Sequence, residues 1–329
     1  MTETLYIISS GQLKREGNTI ALVGERKQFF PVENIREIYI FGEVSLTKKV
    51  LEFFTQNKII VHVYNYYGYY VGTYYPREYY NSGYIIVKQV EHYINQDKRL
   101  DLAKRIVHGA ALNMENTLKY YNKKGKNVAE HIDKISKTKK LIQTTKTINE
   151  LMAREGQIRK TYYDAFNEII TNPDFKFEKR TKRPPQTMLN ALISLGNQLL
   201  YTTVLSEIYK THLDPRIGYL HTTNYRRFTL NLDIAEIFKP IIPDRVNFTL
   251  INKKKLTSNH FTKSLNGIIL NKQGLKNYLK EYEKKINSTV KHPKLKKNVS
   301  YKTLIRQELY KIEKHIINDQ PYQPYTTTW

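Results

Sequence analysis

The chain has 329 residues, 54 Lys and Arg against 30 Asp and Glu for a formal charge of +24, 27 tyrosines and no cysteine. The missing sulfur excludes disulfide scaffolds, cysteine-bound zinc, iron–sulfur clusters and thiolate nucleophiles. Residues 1–10 lack the positive segment of a secretory signal, and no stretch approaches the ~20 apolar residues of a membrane helix, so a cytoplasmic protein away from membranes is expected.

Residues 1–95 carry a net charge of only +1. Short β-branched or aromatic runs at 5–8, 19–23, 35–41, 59–64 and 69–75, separated by Gly, Asn or Pro, predict strands, with one helix over 45–56. Ten of the 21 residues from 64 to 84 are tyrosine. Aromatics of this kind can stack on unpaired bases. Because this part of the chain is uncharged, a hairpin whose tyrosines pair across strands or seal an oligomer interface is the better reading.

From Gln96 the apolar period changes from 2 to 3.6. Leu102, Ile106, Ala110, Met114 and Leu118 mark one long helix, Leu151, Ile158, Tyr162, Phe166 and Ile169 a second, and Met188, Leu192, Leu195, Leu199 and Ile208 a third. A lysine-rich stretch over 119–146 lies between the first two, and Pro173, Pro184 and Pro185 precede the third. The expected fold class is α+β: an N-terminal β-sheet or sandwich domain over 1–95, then a mainly α-helical domain over 96–329 that carries +23. A surplus of that size points to a polyanion, since each phosphate neutralised by Lys or Arg releases counterions. No P-loop, Gly-x-Gly-x-x-Gly or Gly-x-Ser-x-Gly occurs, which leaves nucleotide hydrolysis and serine-hydrolase chemistry unsupported.

Two polar clusters interrupt the helical background. Arg154-Glu155-Gly156 is followed by Arg159, and a glycine inside a helix costs about 1 kcal/mol relative to alanine, which suggests that something approaches closely there. The plain alternative is a solvent-facing Glu155 paired with Arg159 at i+4. The second cluster is Leu213-Asp214-Pro215-Arg216-Ile217-Gly218-Tyr219-Leu220-His221, then Arg226-Arg227 and Asp233-Ile234-Ala235-Glu236. Leu-Asp-Pro ends a helix, an extended segment over 217–220 delivers His221, and Asp233 and Glu236 share a helix face. Two neighbouring carboxylates repel, and a divalent cation is the simplest way to keep both ionised; oxygen ligands suit Mg²⁺ or Mn²⁺, and an added imidazole moves the preference toward Mn²⁺. A structural histidine and an Asp233 that caps its helix or pairs with Arg226 remain the alternative.

These strings, with Gly68-Tyr69-Tyr70-Val71-Gly72, Asn190-Ala191-Leu192 and the run from Leu230 to Val246, resemble the CRISPR-associated endonuclease/integrase family that acquires spacers, over nearly the whole chain. The resemblance implies a divalent-metal site of Glu155, His221 and Glu236, with Asp233 as a nearby auxiliary group and Mn²⁺ or Mg²⁺ as cofactor. It also implies a prokaryotic DNA integrase with nuclease activity that joins the 3′-hydroxyl ends of a prespacer duplex to a CRISPR repeat by transesterification. Homodimers formed through the β domains, a small ferredoxin-like CRISPR-associated partner, and phosphate contacts from Arg226 and Arg227 complete the expectation. The sequence departs from the family pattern at Gly109-Ala110-Ala111, at Arg226-Arg227-Phe228 and at Lys239, where Arg is usual. Set against this reading are a non-catalytic nucleic-acid-binding protein and a related repair nuclease outside CRISPR.

Overall fold

Among the described residues the first 81 hold β1 (Glu3–Ile7), β2 (Gly11–Glu16), β3 (Thr19–Val23), β4 (Gln28–Pro31), β5 (Ile35–Ile40), β6 (Val44–Leu46), the α-helix α1 (Lys48–Gln56), β7 (Ile60–Tyr64) and β8 (Tyr70–Tyr74). The computed structural model describes residues 3–77, 80, 82–223, 228–264, 267–291 and 296–327, and the chain divides into compact units at 1–81 and 82–329. In the first unit, one sheet has the order β1-β5-β7-β8 and the other β4-β3-β2-β6. β1, β5 and β7 run parallel with β8 antiparallel, whereas β4, β3 and β2 alternate and β6 lies parallel to β2.

Leu13, Ile20 and Leu22 from one sheet meet Ile38, Ile40 and Val61 from the other, and Val50, Phe53 and Phe54 of α1 close the same core. Thr47 sets the start of α1, its side chain accepting from the Val50 amide at 3.4 Å. The expected helix over 45–56 therefore begins later, because Val44–Leu46 pairs with Gly11–Leu13 as a strand. β2 and β4 were not foreseen. β2 has a single fully buried side chain, Leu13, among polar neighbours, and β4 is a four-residue edge strand.

The tyrosine-rich region is a hairpin as far as Tyr74. Tyr64 faces Tyr70 across β7 and β8, with ring centroids 6.3 Å apart, and it stacks on Phe41 at 4.4 Å and on Tyr39 at 6.0 Å. Aromatic pairs of this geometry stabilise a sheet beyond their burial.

The second unit contains α2 (Gly83–Ile94), α3 (Gln96–Asn122), α4 (Ala129–Lys140), α5 (Ile148–Asp164), the short α6 (Phe166–Ile169), α7 (Met188–Ile208), α8 (Leu230–Phe238), α9 (Pro243–Asn252), a hairpin of β9 (Phe261–Ser264) and β10 (Gly267–Leu270), α10 (Lys272–Asn287), a second hairpin of β11 (Thr289–Lys291) and β12 (Asn298–Ser300), and α11 (Tyr301–Asn318). The three long helices lie where the period places them. Helix already begins at Gly83, ahead of the change of period at Gln96, with Ser82 as its cap. The lysine-rich stretch holds the end of α3 and all of α4, an amphipathic helix whose one fully buried side chain is Ile135.

α7 is apolar on every side and α8 buries all but Leu232; α8 packs against α3 and α7. α5 packs against α3 and α4. Two elements that carry carboxylates, α5 and α8, are thus fixed to a common support. No described helix is long and apolar enough to cross a membrane.

Candidate active site

Residues 209–229 connect α7 to α8, and hydrogen bonds rather than regular structure hold the motif inside that connection in shape. Gln89 on α2 clamps Asp214 from both sides, accepting from its amide at 2.7 Å and donating to its carbonyl at 3.2 Å. Arg99 on α3 donates to the Tyr219 carbonyl at 3.0 Å, and the Thr229 hydroxyl accepts from the Gly218 amide at 2.8 Å. Gly218 is required by packing: a Cβ there would lie 2.7 Å from the Thr229 carbonyl carbon and 2.9 Å from Asp233 Oδ2. The expected extended segment over 217–220 is an irregular turn instead, because its amides bond to side chains and not to another strand.

Asp233 completes the clamp. It is fully buried, and its two oxygens accept from the amides of Tyr219 at 2.5 Å, Leu220 at 3.0 Å and His221 at 3.0 Å. Its Oδ1 also accepts from His221 Nδ1 at 2.7 Å. That bond fixes the tautomer and leaves Nε2 as the nitrogen on offer. Burial works against charge on the imidazole, but the hydrogen bond and negative charge of Asp233 prevail and raise its pKa above 6.5. Asp233 is therefore a positioning residue that acts through His221 and its backbone.

One turn further along α8, Glu236 is buried between two cations. Lys239 Nζ donates to its Oε1 at 2.5 Å, and an Arg159 terminal nitrogen donates to its Oε2. Burial alone would raise the Glu236 carboxyl; Arg159 and Lys239 outweigh it and hold the pKa down at about 2. Stability from this ionised glutamate is present above its ordinary value of 4.5 and is lost as pH falls toward 2. Arg159 Nε donates to Glu155 Oε1 at 2.6 Å. The expected i+4 pair thus exists, and the same guanidinium also joins Glu155 on α5 to Glu236 on α8, Arg159 itself lying 77 positions before Glu236.

The structure brings Glu155 and Glu236 to one guanidinium and places His221 on Asp233, one helical turn from Glu236. Among the described residues no three His, Cys, Asp or Glu side chains are already gathered as a metal-binding group. The donor chemistry does fit a divalent cation: two carboxylates that share one guanidinium, and an imidazole oriented by a carboxylate through its other nitrogen, the usual outer-shell arrangement of a metal-ligating histidine. Arg226 and Arg227 lie outside the described residues. Gly156 has nothing of the protein within 4 Å of where its Cβ would sit, so no group of this chain accounts for it.

Three residues of the site escaped the sequence reading. Asp244, in the first turn of α9, is 1% exposed. Arg180 and Lys182 precede α7; burial depresses both, and for Lys182 the nearby charges of Arg180 and Lys239 add to the effect. The carboxylates are thus flanked by clustered cations, suited to a phosphodiester.

A family model described as "CRISPR associated protein Cas1" matches residues 5–284. The chain belongs to the Cas1 family. It is 54% identical, over the full length of both proteins, to the CRISPR-associated endonuclease Cas1 2 of Thermodesulfovibrio yellowstonii. A solved Cas1 protein from Thermotoga maritima shares the fold with a TM-score of 0.89 at 46% identity, over 99% of this chain and 100% of the other. A casposase solved with its integration product also superposes with a TM-score of 0.89, over 99% of this chain and 93% of its own, but at 17% identity, a likeness of Cas1 fold alone.

Proposed function

We propose that this protein is a divalent-metal-dependent DNA endonuclease and integrase of CRISPR adaptation. The observation that carries the reading is the convergence of Glu155 on α5 and Glu236 on α8 on one guanidinium beside a histidine that a buried carboxylate orients. The family membership and the endonuclease name of a relative at 54% identity support it.

Glu155, His221 Nε2 and Glu236 would hold Mn²⁺ or Mg²⁺, with Mn²⁺ favoured by the imidazole. When bound, the ion supplies Lewis acidity at the phosphoryl oxygen and lowers the pKa of an attacking hydroxyl. The 3′-hydroxyl of a short DNA attacks a phosphodiester at the repeat boundary, a new P–O bond replaces an old one, and the departing 3′-oxygen takes up a proton. One phosphodiester is exchanged for another, so no nucleotide cofactor is required; with water as nucleophile the same site hydrolyses. Asp233, through Nδ1, fixes the neutral ring of His221 in the tautomer that aims Nε2 at the ion, while Arg180, Lys182 and Lys239 offer positive charge to the phosphate. The unit at 82–329 supplies general DNA affinity, the unit at 1–81 forms the homodimer that places two sites on two strands, and a small ferredoxin-like partner sets the spacing.

The test is strand transfer of a labelled duplex into repeat-bearing DNA with Mn²⁺ or Mg²⁺, with and without the partner. Glu155→Ala and Glu236→Ala are expected to reduce transfer at least ~100-fold while DNA binding persists. Full activity in either variant, or binding without any metal-dependent cleavage, would return the protein to a non-catalytic role. Cleavage of branched DNA with no preference for a repeat would favour a repair nuclease.

A further inference from the structure

Arg159 holds the position between the two carboxylates that a divalent cation would need. Its Nε and one terminal nitrogen serve Glu155 and Glu236, whereas Nη1 is buried and has no hydrogen-bond partner. With Lys239 on Oε1, Glu236 has both oxygens committed to cations before a metal arrives. An ion entering here must take those oxygens from a guanidinium, and a buried guanidinium released without a new partner would be costly.

A second berth lies next to it. Asp244 is buried and neither of its oxygens has a hydrogen-bond partner, an unusual condition for a carboxylate inside a protein. Arg159 is foremost among the charges that act on it, ahead of Lys239 and Arg180. The Tyr162 hydroxyl, three residues after Arg159 on α5, is near enough to lower the Asp244 pKa as a donor, yet no hydrogen bond of ordinary geometry closes between them. Unsatisfied donors and acceptors from α5 and α9 thus face one another behind the carboxylates.

We propose that Arg159 is a two-position residue: it occupies the space between Glu155 and Glu236 in the metal-free protein and transfers to Asp244 when a divalent cation takes the carboxylates. This rests on the reading of Glu155, His221 and Glu236 as the metal ligands. In the first position Arg159 bridges the two carboxylates and so ties α5 to α8. In the second it satisfies Asp244 and vacates the ligands. Metal affinity is then set by the difference between two berths for one side chain, in addition to the ligands themselves.

Direct binding of Mn²⁺ to the full-length protein without DNA, followed by electron paramagnetic resonance at fixed pH, tests this. Asp244→Asn, which is isosteric, is expected to weaken binding about tenfold, and Arg159→Met to strengthen it by a similar factor. In the Arg159→Met background Asp244→Asn is expected to change affinity less than about twofold. Circular dichroism verifies folding; if Arg159→Met does not fold, Arg159→Lys, with a charge but no fork to span both carboxylates, takes its place. In the wild type, Mg²⁺ is expected to shift the Arg159 Nε–H resonance in ¹⁵N spectra, and the shift is expected to be lost in Asp244→Asn. Wild-type affinity in both single variants, or an equal loss from Asp244→Asn with and without Arg159, overturns the two-position model while the metal site stands. Wild-type protein that binds no Mn²⁺, or binds it equally well as Glu236→Gln, removes the metal reading and this one with it.

Discussion

His221 shows how one buried carboxylate does several jobs at the scale of a residue. Asp233 receives three backbone amides and the imidazole, so it sets the path of 219–221, the tautomer and the charge of His221 together. Asp233→Asn retains one acceptor and should cost about 3 kcal/mol where His221 is neutral, the usual penalty for breaking a buried charged network. The pH dependence isolates the histidine. Because Asp233 raises its pKa, the stability from protonated His221 is fully present below its ordinary value of 6.5 and lost as pH rises through the raised value. The gap between wild type and Asp233→Asn is therefore expected to widen in acid. In NMR titrations the midpoint of His221 should fall below 6.5 in the variant, since burial then prevails. A midpoint that stays raised would mean that Asp233 is not what holds the proton. Both residues were legible from the sequence as a spaced pair. The division of labour was not, because spacing on a helix cannot say which carboxylate points at backbone amides and which at the buried cations Arg159 and Lys239.

At the scale of elements, regular segments were easier to read than irregular ones. The 3.6-residue period located α3, α5 and α7 because each buries a continuous stripe against neighbours. It missed α2, where exposed Tyr84, Val87 and Ile94 share the helix with buried Ile85, Gln89 and His92 and so blur the pattern. β2 escaped because polar residues dominate it, and β6 because three residues are too few to show a period. The connection to α8 could be read as a motif but not as a structure, for its shape depends on Gln89 and Arg99, more than 100 residues away. Two glycines in these elements predict opposite outcomes. Gly156→Ala puts a methyl group into open space in mid-helix and should stabilise the protein by up to ~1 kcal/mol in urea denaturation. Gly218→Ala forces a Cβ against Thr229 and Asp233 and should destabilise it and depress strand transfer by moving His221. If Gly156→Ala gains stability yet loses strand transfer, DNA is what approaches that glycine. Should it lose stability, the helix interior there is not as open as described.

Across the whole molecule, the charge divides as the fold does. Cutting the chain at 81 instead of 95 leaves the first unit at +1 and the second at +23, so the boundary moves without moving the charge. In the helical unit a close contact accounts for Gly109: a Cβ at that position would lie 2.5 Å from Pro324. Residues 320–327 run back over α3, where Asn113 accepts from the Thr327 amide at 2.9 Å and donates both to the Tyr325 carbonyl at 2.9 Å and to the Ile237 carbonyl of α8 at 3.0 Å. The last residues of the unit thereby support the helix that carries Glu236. DNA affinity should follow the charge and not the site. For a duplex, log K is expected to fall linearly with log salt, and Lys253→Ser and Lys254→Ser, both exposed at the end of α9, should each reduce that slope by up to ~1 if they face phosphate. Lys48→Ser and Lys49→Ser on α1, equally exposed but in the neutral unit, should leave it unchanged. Equal effects from the two pairs would show that the surplus of the helical unit is a solvated surface, and that the phosphates are held elsewhere.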